Sequence, residues 1–237
     1  MLCVTDQRAA GEVLFGPDGV AGGGTAGKLV VDFSSIAPSV AREHAGRLER
    51  ECGMGHVDAP VSGGVTGAES GTLAIMAGGR SEQVERLRPI MAHLAQRFTR
   101  VGDAGAGQVA KLCNQIIVGC LFPVLAEAVR LAEASGVDAG VLPEALKGGF
   151  ADSRPLQVYG PRMAARSYDV PMGTAAILLK DLENAAALAS NAQVPMPMMR
   201  TAAELYRVLV AQGRGGVEPS ALIELLGGEG KGKAGVG

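Results

Sequence analysis

Over its first hundred residues the chain alternates short apolar runs with stretches of helical period, and beyond them only the helical period continues. Residues 29–32 read LVVD, a continuous apolar run suited to a strand covered on both faces. Pro38 then opens a predicted helix to about residue 51, with Arg and Glu along its polar side. Further strands are predicted at roughly 55–59, 72–77 and 98–101. Between the last two, Ser81 is placed to cap a helix over 82–96 that Pro89 should kink. Strands separated by helices of this length predict βαβ units and a largely parallel sheet, hence the α/β class.

From Gly107 the character changes. Residues 108–135 read as one long helix, apolar almost all round, which implies burial against other helices or another subunit. More helices are predicted near 141–147, 175–191, 197–212 and 220–226, with no strand pattern among them. The spacing therefore predicts an α/β part over 1–103, an all-α domain over 104–228 and a disordered low-complexity tail over 229–237. Aromatic residues make up 3% of the chain and Trp is absent, so the core must be Ala, Val, Leu, Ile and Met.

A net charge of −2 offers no basic footprint, so nucleic acid is not expected as a partner. Cys3, Cys52, Cys113 and Cys120 form no CxxC pair and have no His at metal-ligand spacing. They read as reduced thiols of a cytoplasmic protein, and no metal is expected. No signal-peptide pattern opens the chain. The most apolar run, 112–126, is shorter than the ~20 residues of a membrane span and carries Asn114 and Gln115, so no membrane association is expected. His44, His56 and His93 form no constellation in the sequence and are assigned surface or core roles.

Thirty-five glycines are about twice the ~7% average, and three clusters among them bear on function. Gly22, Gly24 and Gly27 spell GxGxxG and nearly a P-loop, but Leu29 stands where Ser or Thr is needed, and the strand follows the glycines instead of preceding them. They are predicted to form a flexible turn. The second cluster, Asp58-Ala-Pro-Val-Ser62-Gly63-Gly64-Val-Thr-Gly67, sits just past a strand's carboxyl end, where open α/β sheets place ligands. Its spacing fits a carboxylate or phosphate cradle as well as a tight structural turn. The third, Gly105-Ala-Gly107, leads into Lys111, Asn114 and Gln115, which share one face of an otherwise apolar helix at i, i+3 and i+4. Only six of 22 basic residues are Lys, and among them Lys111 and Lys180 sit on helices where a side chain able to lose its proton would serve acid/base chemistry.

Together the residues DAPVSGGxxGAxxGTL, then GxGxxxKxxNQ, then KDL on a helix resemble the β-hydroxyacid dehydrogenases. VDFSSIAP is similar to that family's D-x-S-T-x-x-P segment, with Ser35 at the Thr position. The resemblance runs from about Leu2 to Leu226 and implies a partial Rossmann-like sheet with NAD or NADP as cofactor. It implies that Ser62, Gly63 and Gly64 hold a substrate carboxylate and that Lys111 is the general acid/base. Asn114 would position the substrate with Gln115 beside it, a residue like that of the tartronate semialdehyde type, while Ser35 and Lys180 approach the cofactor. The implied substrate is a short 3-hydroxy acid or its semialdehyde, and the implied assembly is a homodimer or homotetramer. Against the family pattern Met1 falls inside what resembles a later strand. Two βα units, roughly sixty residues, and the pyrophosphate-binding turn are therefore expected to be lacking. A non-catalytic remnant keeping the helical dimerisation half, or an imine-reductase-like member of the superfamily, are the alternatives. Lys111 argues against the second.

Overall fold

In the computed structural model, which describes residues 1–168 and 173–227, the chain divides into two compact units, Met1–Cys113 and Asn114–Gly237. The predicted tail at 229–237 lies outside the described residues.

In the first unit, Leu2 makes a parallel bridge to Asp32 before the chain enters α1 (Gln7–Phe15). The Asp6 carboxylate caps α1 by accepting from the N–H groups of Arg8 and Ala9. Turns then lead to β1 (Leu29–Asp32). Next, α2 (Pro38–Cys52) opens on proline and stops at Gly53, whose φ of 66° and N–H bond to the Glu49 carbonyl make a left-handed cap. β2 (Gly55–Asp58) lies parallel to β1, with Val30 opposite His56 and Asp32 opposite Asp58. β3 (Val61–Ser62), α3 (Gly64–Glu69), β4 (Leu73–Gly78), α4 (Ser81–Met91) and β5 (Ala95–Gly102) complete it.

The sheet is mixed. β4 is parallel to β5 but antiparallel to β2 and β3, along which Asp58, Val61 and Ser62 face Gly78, Ile75 and Ala74. The segment 63–72, holding only the short α3, is below the dozen or more residues that a parallel crossover needs. Helices cover both faces, as the alternation of adjacent strand residues shows. Val30 packs with Leu14, Ala41 and Leu48 of α1 and α2, while Val31 and Val57 pack with Val84, Leu87 and Met91 of α4.

The second unit contains helices and turns, with no strand among its described residues. α5 (Ala106–Ala134) begins in the first unit and continues into the second. It is followed by α6 (Leu142–Leu146), α7 (Arg154–Ala165), α8 (Ala175–Asn191), α9 (Pro197–Leu209) and a closing 3-10 segment, Pro219–Leu226. Phe122, Leu125, Ala126 and Val129 of α5 build the core with Leu178, Leu182, Met199, Tyr206, Leu222 and Ile223. Tyr206 is buried and donates its hydroxyl to the Gly119 carbonyl at 3.0 Å. Gly119 is small for a reason: a Cβ there would stand 3.0 Å from Leu182.

Several local expectations need correction. α1 and α7 carry no sequence prediction. Pro155 and Pro161 disguised α7, although Pro155 sits at the start of the helix, where its missing N–H costs nothing. Arg80, not Ser81, is the N-cap of α4, without a side-chain bond, and that helix ends at Met91 because Ala95 onward pairs with β4. The final helix, expected over 220–226, is present and is 3-10 in form. α5 is long and apolar enough to cross a bilayer by length and composition, contrary to the expectation from its shorter apolar run. One side of it nevertheless packs into the helical core, while Ile117, Val124 and Leu131 on its other side are 62%, 51% and 70% exposed.

Candidate functional site

The first unit collects its polar side chains at the carboxyl ends of β1 and β2. Asp58, the last residue of β2, is fully buried and its two oxygens accept from the N–H groups of Gly105 (2.7 Å) and Gln108 (2.9 Å). This carboxylate therefore clasps the first turn of α5, where unpaired N–H groups and the helix dipole favour negative charge. Burial pushes the Asp58 carboxyl above its ordinary value, and the same two N–H groups pull against that rise. Gly107 makes the approach possible: a Cβ would stand 2.4 Å from the Met76 carbonyl oxygen and 2.6 Å from that of Asp58. Gly107→Ala should accordingly lower the melting temperature by several degrees, because backbone must move to admit a methyl group. An unchanged melting curve would contradict this packing.

Gln108 extends the clasp to the loop after β1. Its side-chain amide donates to the Ser34 carbonyl (2.8 Å) and accepts from the Ile36 N–H (3.1 Å), bracketing the half-buried Ser35. Asp58 and Gln108 both stood in recognisable motifs but received no role from the sequence. Their signal was present only as polar residues next to glycines.

Ser62 lies in β3, and Gly63 and Gly64 follow it with φ of 134° and 63°, backbone that glycine adopts far more readily than other residues. Open space also surrounds the Gly64 α-carbon, so a ligand could approach the backbone there. Lys111, Asn114 and Gln115 are half-buried on one face of α5, as their spacing predicted.

In the second unit two hydrogen bonds and one ion pair join three of the predicted residues through Asp181. Asn114 Nδ2 donates to Gln115 Oε1 (2.9 Å), Gln115 Nε2 donates to Asp181 Oδ2 (2.8 Å), and Lys180 Nζ lies 3.4 Å from Asp181 Oδ1. Asp181 is the buried hub, a role that the KDL motif gave no means to read. The fold also corrects the reading of the histidines. His44 and His56 are buried and come together with Asp32, while His93 stays exposed on the turn after α4.

The residues fit a nicotinamide dinucleotide in part. The N-cap of α2, Ala37, makes no side-chain cap bond, so the helix start beside Ser35 leaves N–H donors for an anionic or hydroxyl group, whereas Asp6 occupies the start of α1. Gly22, Gly24 and Gly27 do not fit. They precede β1; Gly24 alone is packed, where a Cβ would stand 2.5 Å from Met54 Sδ, while Gly22, Gly23 and Gly27 are exposed.

Residues 1–102 match the family model for the NAD binding domain of 6-phosphogluconate dehydrogenase. Residues 105–226 match that for the NAD-binding domain of NADP-dependent 3-hydroxyisobutyrate dehydrogenase. The chain is 39% identical over 225 residues to 2-hydroxy-3-oxopropionate reductase of Escherichia coli K12, covering 95% of this chain and 76% of that protein. It is 40% identical over 194 residues to the NAD-dependent L-serine dehydrogenase of Pseudomonas aeruginosa, covering 79% of this chain and 64% of that one. Among solved structures, Mycobacterium tuberculosis 3-hydroxyisobutyrate dehydrogenase with L-serine superposes with a TM-score of 0.84 at 28% identity, over 96% of this chain and 79% of that one.

Proposed function

Because the chain belongs to the β-hydroxyacid dehydrogenase family and is an NAD(P)-dependent oxidoreductase, we propose that it interconverts a short 3-hydroxy acid and its semialdehyde, of the 3-hydroxyisobutyrate or tartronate semialdehyde type. The observation that carries this reading is the Asp58 clasp. It ties the strand end leading into Ser62, Gly63 and Gly64 to the helix that bears Lys111 one turn further on.

In this reading the backbone at Ser62–Gly64 and the Ser62 hydroxyl bind the substrate carboxylate. When bound, the nicotinamide supplies the hydride acceptor or donor. Lys111 Nζ takes the proton from the substrate hydroxyl during oxidation and returns it to the developing alkoxide during reduction. Asn114 orients the substrate, and its bond to Gln115, anchored in turn on Asp181, holds the amide in place. Ser35 and Lys180 face the cofactor, which is NAD or NADP. Residues 1–103 serve nucleotide binding and 104–228 serve substrate binding and dimerisation, in the cytoplasm.

A second copy of this chain is the occupant proposed for the exposed stripe Ile117, Val124 and Leu131, three apolar residues seven apart on α5. Leu131→Asp should convert a dimer or tetramer into monomer in light scattering coupled to gel filtration. A monomeric parent chain would reject the proposal.

The function itself is tested by assaying the purified chain with NADH and NADPH against 3-hydroxy acids, 2-hydroxy acids, semialdehydes and cyclic imines. Turnover restricted to short 3-hydroxy acids and semialdehydes is expected. Preference for imines would favour the imine-reductase reading, and nucleotide-independent dimerisation with no turnover would favour a non-catalytic remnant.

A further inference from the structure

Four buried polar atoms of three neighbouring residues in the first unit have no hydrogen-bond partner among the described residues: Asp32 Oδ2, His44 Nδ1, and both ring nitrogens of His56. Their residues are 0%, 5% and 3% exposed, so water does not reach them freely. Buried polar groups in folded proteins are nearly always paired, and a cluster of orphans needs an explanation. We propose that Asp32, His44 and His56 form a binding site for one divalent transition-metal ion of the zinc or cobalt type. The ion would be set between the β1–β2 strand pair and α2.

The fold delivers all three ligands to one place. In the parallel register Val30 faces His56 and Asp32 faces Asp58, so Asp32 and His56 project from the same side of the sheet. That side is the one α2 covers, and His44 lies on the buried stripe of α2 with Ala41 and Leu48. One donor atom from each residue lies within 4.8 Å of those of the other two. An ion with bonds of about 2.0–2.2 Å to nitrogen and oxygen fits among them after small side-chain adjustment.

The donor chemistry suits this class of ion. Two imidazoles and one carboxylate match the ligands of zinc and of other borderline divalent metals, whereas calcium and magnesium prefer oxygen throughout. Burial holds both imidazoles in the uncharged, ligating form: it lowers His44, and it lowers His56 to about 4. Asp32 is already oriented, because its Oδ1 accepts from the Ser34 N–H at 2.8 Å, and its buried Oδ2 is left without a partner. The buried Asp58 carboxylate, which interacts electrostatically with Asp32, adds negative charge nearby. With α2 and the sheet closing around it, the ion would clamp helix to sheet instead of taking part in turnover, and the proposal stands apart from the catalytic reading.

The test uses the full chain, stripped with EDTA and titrated with Co²⁺ and with Zn²⁺. The expected results are saturable uptake of one ion per chain, visible cobalt absorption bands and a higher melting temperature. The ring-nitrogen NMR signals of His44 and His56 should shift while those of His93 do not. His56→Phe and His44→Leu should each weaken binding by about 100-fold or more. The proposal is overturned if the parent chain takes up no stoichiometric ion, if both variants still bind it, or if His93 shifts instead. Should a variant fail to fold, the histidine signals of the parent chain decide the matter alone.

Discussion

Lys111→Ala should lower kcat by roughly 10²- to 10⁴-fold, the range that a positioned general acid or base supplies. The side chain is half-buried on the second turn of α5, past the turn that Asp58 fixes, so its truncation leaves the helix start intact. Melting temperature and the affinity for NADH or NADPH should therefore stay close to those of the parent chain. An acid/base group acts in the chemical step, so the loss should fall on kcat more than on KM. If Lys111→Ala keeps near-normal kcat, Lys111 has no such role.

The second large effect belongs to Asp58. Asp58→Ala leaves the N–H groups of Gly105 and Gln108 buried without acceptors and removes the negative charge at the start of α5. Two charge-assisted bonds lost in this way cost about 3–5 kcal/mol. For a chain of this size the melting temperature should fall by roughly 10 °C. Asp58→Asn keeps one acceptor oxygen and should lie between the two. Both variants should also lose turnover, since the start of the helix carrying Lys111 is no longer held to the strand end. A stability change under 1 kcal/mol in Asp58→Ala, measured by urea unfolding, would show that the clasp contributes little.

What the sequence revealed and what it hid have physical causes. The strand at 29–32 and the helix at 175–191 were legible because period and composition are local properties. α1 escaped because glycines interrupt and follow it, though an Asp cap and a buried Ala10–Leu14 stripe stabilise it. The antiparallel turn of β4 could not be read from strand positions. It follows from the shortness of 63–72, and the glycines there suggested ligand binding as readily as a reversal. At the candidate site the family motifs pointed to Ser62, Lys111, Asn114 and Lys180. The residues that hold them are a different matter. Asp58, Gln108 and Asp181 act across separations of 47, 72 and 66 positions, and no spacing rule reaches that far. The same limit hid the meeting of Asp32, His44 and His56, which only strand register and helix packing create.

Hydride transfer between a nicotinamide cofactor and the carbinol carbon of a short 3-hydroxy acid is the step on which the proposed function depends. Its most direct measurement supplies reduced cofactor deuterated at the transferring position together with a semialdehyde such as tartronate semialdehyde, and follows the product by NMR and mass spectrometry. The expected product is a 3-hydroxy acid carrying one deuterium on the carbinol carbon, formed by the parent chain and reduced at least 100-fold in Lys111→Ala. Unlabelled product, or no product from a folded chain that binds the cofactor, would contradict it.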